Sequence, residues 1–156
     1  MDSFRYPIDA HIKSTCKLID RYSDPHVCKA IGEHLEGLVK AWLRAQGFTI
    51  VGTHTAKYQS TEWTKTNHTL DFVANHYSGK LAIGVEVKNT LPVIEKDEID
   101  TKIEMCKHLG IVPVFAVRWL KPHIEHIRIN GGFSWMFKTQ IYPPGFDELT
   151  KTLWKN

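Results

Sequence analysis

The sequence has few cysteines, no long apolar run, and no strong excess of charge of either sign. Cys16, Cys28 and Cys106 are odd in number and far apart. They make neither a disulfide framework nor a CxxC zinc clamp, and they fit free thiols in a reducing cytoplasm. The longest apolar stretches, Leu81 to Val85 and Ile111 to Val117, fall far short of the ~20 residues that span a bilayer. The first twenty residues carry Asp2, Asp9 and Asp20 and no apolar core segment, which argues against a secretory signal. No internal repeat, Ser/Gly linker or low-complexity run divides the chain. What is there is an ordinary globular composition: 156 residues, 42% apolar and 24% charged. That is enough chain for a single domain over 1–156 that folds without a disulfide or metal staple. The net charge of +3 is compatible with nucleic acid without demanding it. The surplus lies from Arg118 onward, where six Lys and Arg meet three acids.

Hydrophobic periodicity sets the element order. Pro7 to Arg21 reads as a helix with Ile8, Ile12 and Ile19 among its apolar positions. Ser23-Asp24-Pro25 ends it and caps the next helix. In that second helix Ile31, Leu35, Leu38, Val39, Trp42 and Leu43 share one face, and Gly47 closes it. Phe48 to Gly52 reads as a strand and Thr53 to His68 as a long polar loop, a length that usually signals function. Leu70–Ala74 and Leu81–Lys88 form a hairpin about the turn Tyr77-Ser78-Gly79-Lys80. Lys96–His108 is helical, and Ile111–Trp119 is a strand buried on both faces. His123–Ile129 and Phe133–Ile141 read as a second hairpin around Asn130-Gly131-Gly132, and a short helix runs from about Phe146 to Trp154. The fold class is therefore α/β, a mixed central sheet flanked by helices. It divides into an N-terminal helical extension (1–30), a core (31–119), and a C-terminal hairpin with a short helix (120–156).

Two carboxylates sit where an apolar strand would not want them. Strand alternation puts Leu81, Ile83, Val85 and Val87 on one face and Glu86 and Lys88 on the other, their Cα atoms roughly 6.5–7 Å apart. Between them and the turn that face offers only Ala82 and Gly84, so nothing bulky is expected over the carboxylate. An unpaired Glu86 there would cost several kcal/mol, so it needs a cation, either Lys88 or a metal ion. On the partner strand Asp71 shares a face with Val73, and it meets Glu86 at the same end of the hairpin. Two convergent carboxylates beside an ammonium make an oxygen-rich site suited to Mg²⁺ or Mn²⁺, while a plain cross-strand ion pair explains the same pattern. On the second helix Glu36 falls on the flank of the apolar stripe and Glu33 in solvent. Glu36 also has an i,i+4 partner in Lys40.

The run Gly32-x-x-x-Glu36, Leu43, Gly47 and Phe48, then Leu70-Asp71-Phe72-Val73-Ala74 and Gly84-Val85-Glu86-Val87-Lys88, resembles the PD-(D/E)xK nuclease superfamily. The likeness is greatest to the archaeal-type Holliday-junction resolvases, and it extends to the strand Ile111-Val112-Pro113-Val114-Phe115-Ala116-Val117. The resemblance implies a restriction-endonuclease-like core. It also implies a divalent metal held by Asp71, Glu86 and the main-chain carbonyl of Val87, with Glu36 completing the site directly or through water. Lys88 would orient or help deprotonate the attacking water and stabilise charge on the scissile phosphate. Leu70 stands where the superfamily has its proline. Residues 1–30 and the Thr53–His68 loop do not map onto the resolvase pattern, and the loop is expected near the active site.

The function implied is a Mg²⁺- or Mn²⁺-dependent DNA endonuclease acting on branched DNA as a homodimer. The alternatives are a sequence-specific restriction or repair endonuclease on the same core, and a DNA-binding module that does not cleave. Lys57, Trp63 and Lys65, with His54 and His68, combine cations and an aromatic as nucleic-acid contacts do, and Arg118 is placed to touch phosphate or to cap the sheet. Trp135, Phe137 and Trp154 read as core or a dimer interface. His123 and His126, three apart on a presumed strand, point to opposite faces and read as surface residues rather than a metal site.

Overall fold

The computed structural model describes residues 5–89, 94–118, 120–137 and 141–154. Trp119, residues 138–140 and the side chain of Trp154, all included in the expectations above, lie outside the described residues. The chain forms two compact units, one from residues 1–34 and 141–156 and the other from 35–140. Residues 120–156, read from sequence as one segment, are thus divided between them. Among the described residues no helix is long and apolar enough to cross a membrane.

The terminal unit contains α1 (Arg5–Tyr22), the start of α2 (Pro25–Ala45) and α5 (Asp147–Trp154). Asp24 caps α2 through Oδ1, which accepts the His26 backbone N–H at 2.8 Å. Tyr22 meets Tyr142 edge-on, with ring centroids 5.7 Å apart. Ile8, Ile12 and Ile19 of α1 are exposed.

The larger unit holds a five-stranded sheet. Its strands are β1 (Phe48–Thr55), β4 (Leu70–His76), β5 (Ala82–Lys88), β6 (Val112–Val117) and β7 (Phe133–Met136), side by side in that order. β4 runs antiparallel to β1 on one side and to β5 on the other, and β5, β6 and β7 are parallel. The β4–β5 hairpin turns as expected, with Gly79 at φ +69° and the His76 N–H bonded to the Leu81 carbonyl at 2.8 Å. The helix α3 (Lys96–Leu109) makes the crossover that parallel strands require. Gly110, in the left-handed conformation at φ 69°, closes α3.

Each face of the sheet is covered. Leu35, Val39 and Leu43 of α2 are buried, and Lys40 Nζ lies 5.1 Å over the Phe72 ring, which sets α2 on the Phe72/Val85 face. Leu38 and Trp42, expected on the same apolar stripe, are about half exposed. The opposite face carries Val73, Phe115 and Val117 and is covered by α3, through Ile99 and Ile103 at one end and Met105, Cys106 and Leu109 at the other. Side chains as fully buried as Phe72 and Phe115 contribute ~1.5–3 kcal/mol each.

Two expectations are overturned. His123–Ile129 is not a strand: a 3-10 turn (Lys121–His123) leads into α4 (Ile124–Ile129), and β7 runs parallel to β6, so there is no second hairpin. The reason is tertiary. Ile127 is fully buried beside Phe115 and Leu120. A Cβ on Gly132 would meet Ile127 Cγ2 at 2.8 Å and the Pro113 carbonyl at 3.1 Å, so only glycine lets the chain pass there. The Thr53–His68 segment is not one long loop either. β1 continues to Thr55, and a small hairpin of β2 (Lys57–Tyr58) and β3 (Thr61–Glu62) follows. The Tyr58 hydroxyl ties that hairpin to β4 by bonding Asn75 Oδ1 at 2.9 Å.

Candidate functional site

The β4–β5 ladder pairs Val73 with Gly84 and ends at Phe72 and Val85, so Asp71 and Glu86 are the next residue of each strand past its last pair. The Val87 backbone N–H donates a 2.6 Å hydrogen bond to Asp71 Oδ2 and so fixes this carboxylate across the strand gap. Glu86 is only 3% exposed. Sequence alternation left its face open; in the structure α3 lies over it. A Cβ on Gly84 would sit 2.7 Å from both Cys106 Sγ and Leu70 Cδ1, so the small residue is what lets the helix settle onto the strand.

The cation for Glu86 is one that sequence reasoning did not name. Lys102 of α3 places Nζ 2.5 Å from Glu86 Oε2, and the same ammonium donates to the Thr69 carbonyl. Both side chains of the pair are almost wholly buried. A signal existed: Lys102 stands inside the buried stripe Ile99, Ile103, Cys106, where an unpaired lysine would be costly. Lys88 is the outer partner, 3.5 Å from Glu86 Oε1 and 2.9 Å from Glu98 Oε1, with about a third of its side chain exposed.

Burial and the like charge of Asp71 push Glu86 up to about 7, against the pull of Lys102 and Lys88. Burial also holds Asp71 above the usual carboxylate range; the Val87 hydrogen bond opposes this and the Glu36 charge adds to it. Burial draws the Lys88 ammonium down, yet Glu98 and Glu86 outweigh it and leave its pKa raised. The buried Cys106 thiol is pushed up to about 12, so it is an inert core side chain. Glu36 thus belongs to the same electrostatic cluster as Asp71. Its carboxylate pairs with Lys40 at 3.1 Å and is 19% exposed, whereas Glu33 is 65% exposed and pairs loosely with Lys29 at 3.7 Å.

A divalent cation finds suitable chemistry here but not a ready cage. Asp71, Glu86 and the Val87 carbonyl are all oxygen donors, and two neighbouring carboxylates that burial holds above their usual range are relieved by a cation. Among the described residues, however, no group of three or more His, Cys, Asp or Glu side chains is disposed to hold a metal ion. Lys102 and the Val87 N–H already engage one oxygen of each carboxylate.

The proposed nucleic-acid contacts fare unevenly. Trp63 is not a stacking platform. It is 3% exposed, packed with Leu70, Val73 and Met105, and its Nε1–H donates to Thr66 Oγ1 at 2.9 Å. Lys65 lies 5.1 Å over the Trp63 ring and 4.0 Å from Glu104. Lys57 pairs with Glu62 at 3.0 Å, and both lysines are exposed. Arg118 bonds the Lys88 carbonyl through its backbone N–H at 3.3 Å, and its buried Nε has no hydrogen-bond partner among the described residues. His126 is engaged by Asp100. Trp135 meets Trp42 with ring centroids 4.9 Å apart and ring planes tilted by 40°, and remains 39% exposed.

A scan against protein-family models, a search of curated proteins and a search of solved structures each find no match to this chain.

Proposed function

We propose that the chain is a metal-dependent DNA endonuclease that hydrolyses phosphodiester bonds, and that its substrate is branched duplex DNA. The observation that carries this reading is the nearness of Asp71 and Glu86 past the Phe72/Val85 pair of neighbouring strands, where the Asp71 charge acts on Glu86, with the Lys88 ammonium at Glu86 and the Glu36 charge felt at Asp71. Two further features support it. The mixed sheet flanked by helices, with α3 joining the parallel strands β5 and β6, is compatible with a restriction-endonuclease-like core. The acids and the lysine also stand on the elements that resemblance assigns them.

Asp71, Glu86 and the Val87 carbonyl would hold Mg²⁺ or Mn²⁺, with Glu36 joining directly or through water. When bound, the cation supplies Lewis-acid charge and makes water more acidic. The remaining work falls to the protein. Glu98 and Glu86 hold Lys88 charged and oriented, so its ammonium can direct the attacking water and offset charge growing on the phosphate. Because it is partly exposed, it can reach a substrate. Resolution of a branch needs two symmetric nicks, which a two-fold homodimer provides.

Incubation of the protein in Mg²⁺ with labelled four-way, flapped and linear DNA tests the reading. Paired nicks in the four-way junction that EDTA abolishes are expected. Better cutting of a linear duplex at a defined sequence replaces the branched substrate with a restriction-type one. One observation favours a second reading, a DNA-binding module that does not cleave: Glu86 is already neutralised by Lys102. Junction binding without nicks in Mg²⁺ and in Mn²⁺ selects that reading.

A further inference from the structure

Lys102 does more than satisfy a buried acid. Its Nζ contacts two elements at once, Glu86 Oε2 at the end of β5 and the Thr69 carbonyl just before β4, while its stem runs within the buried face of α3. Thr69 lies two residues before Asp71, so one ammonium ties together the chain segments that present both carboxylates. Only Oε2 of Glu86 is engaged at 2.5 Å; Oε1 faces the more loosely held Lys88 at 3.5 Å. A cation entering beside Asp71 and Glu86 therefore meets a positive charge already in residence, one that cannot swing out to solvent because its side chain is 6% exposed.

We propose that Lys102 is the positioning residue of this site. It is a resident counter-ion that keeps Glu86 in place when no divalent cation is bound, and its charge sets the affinity at which one is taken up. The inference rests on the metal-binding reading above. Removing the ammonium has two linked effects. The metal-free site loses the partner of a buried carboxylate, and an incoming cation loses a repelling neighbour. Lys102→Met keeps the length of the stem. Lys102→Gln, used if the first variant fails to fold, retains a donor for the Thr69 carbonyl while lacking the charge.

The test is thermal unfolding and calorimetric titration with Mn²⁺ at pH 8, on the parent chain and the variant. We expect the variant to melt lower than the parent in EDTA, to recover most of that loss in Mn²⁺, and to bind Mn²⁺ at least tenfold more tightly. The inference is overturned by an unchanged melting temperature in EDTA, and equally by Mn²⁺ affinities that match or by weaker binding in the variant. Matching affinities leave the metal site itself standing. The absence of any Mn²⁺ binding in both proteins overturns the metal-binding reading along with this one.

Discussion

Asp71 and Glu86 lie just past the Phe72/Val85 pair of two adjacent antiparallel strands, Glu86 buried and Asp71 half-buried, and the Asp71 charge adds to the burial that raises the Glu86 pKa. Burial, with the Asp71 charge added to it, destabilises the ionised Glu86 in the metal-free protein. The folded Glu86 releases its proton at about 7 against 4.5 ordinarily, and Asp71 is shifted in the same direction. Through that interval the folded chain binds more protons than the unfolded one, so stability falls as pH rises from about 4.5 to about 7. The Glu86 contribution is on the order of 3 kcal/mol. Denaturant unfolding in EDTA across this range is expected to show the decline. Asp71→Asn should make it shallower without removing it, because burial is the larger cause of the Glu86 shift, and should be at least as stable as the parent at pH 8. A slope unchanged in Asp71→Asn would contradict the coupling.

Glu36 and Glu33 separate function from surface. The Glu36 charge acts on Asp71, while Glu33 is exposed beside Lys29. Glu36→Gln is expected to slow cleavage by roughly 10- to 100-fold, the usual effect of losing a supporting group at a metal site. Glu33→Gln should cut like the parent in the same assay.

On the proposed nuclease reading, Lys88 divides binding from chemistry. Its ammonium is partly exposed and held by two glutamates. Lys88→Ala should lose ~100-fold or more in nicking rate and still bind a four-way junction, because phosphate contacts elsewhere dominate affinity. Gel-shift titration at several salt concentrations, beside single-turnover nicking, reads both effects. Equal losses in binding and cutting would place Lys88 outside the chemistry.

Trp63 gives the opposite pattern. Its ring fills the space among Leu70, Val73 and Met105, so Trp63→Ala should cost about 3–5 kcal/mol in stability. Its effect on DNA affinity, measured well below the melting temperature, should be small. Weakened binding by a protein of parental stability would restore it as a nucleic-acid contact.

Gly84→Ala probes the close approach of α3. The added Cβ would press on Cys106 Sγ and Leu70 Cδ1, both at 2.7 Å. Overpacking of this kind costs typically 1–3 kcal/mol, visible as a lower denaturation midpoint. A neutral change would mean the helix moves away freely.

The local pattern of the sequence determined much of this protein. Period-2 alternation placed Glu86 and Lys88 on one face of β5, and the turn at 77–80 brought Asp71 to the same end. The helical angle separated Glu36 from Glu33. These are short-range relations, fixed by backbone geometry within one element or one hairpin. Tertiary packing decided the rest. His123-Ile124-Glu125-His126-Ile127 can alternate or coil, and it became α4 because Ile127 had a core to enter beside Phe115. Trp63 sits in a polar stretch that reads as a solvated loop, and the face of α3 drew it inside. Above all, the partner of Glu86 came from sixteen residues away on another element. Hydrophobic period alone marks Lys102 only as a lysine in an apolar stripe, since which buried acid it meets depends on how a helix lies on a sheet.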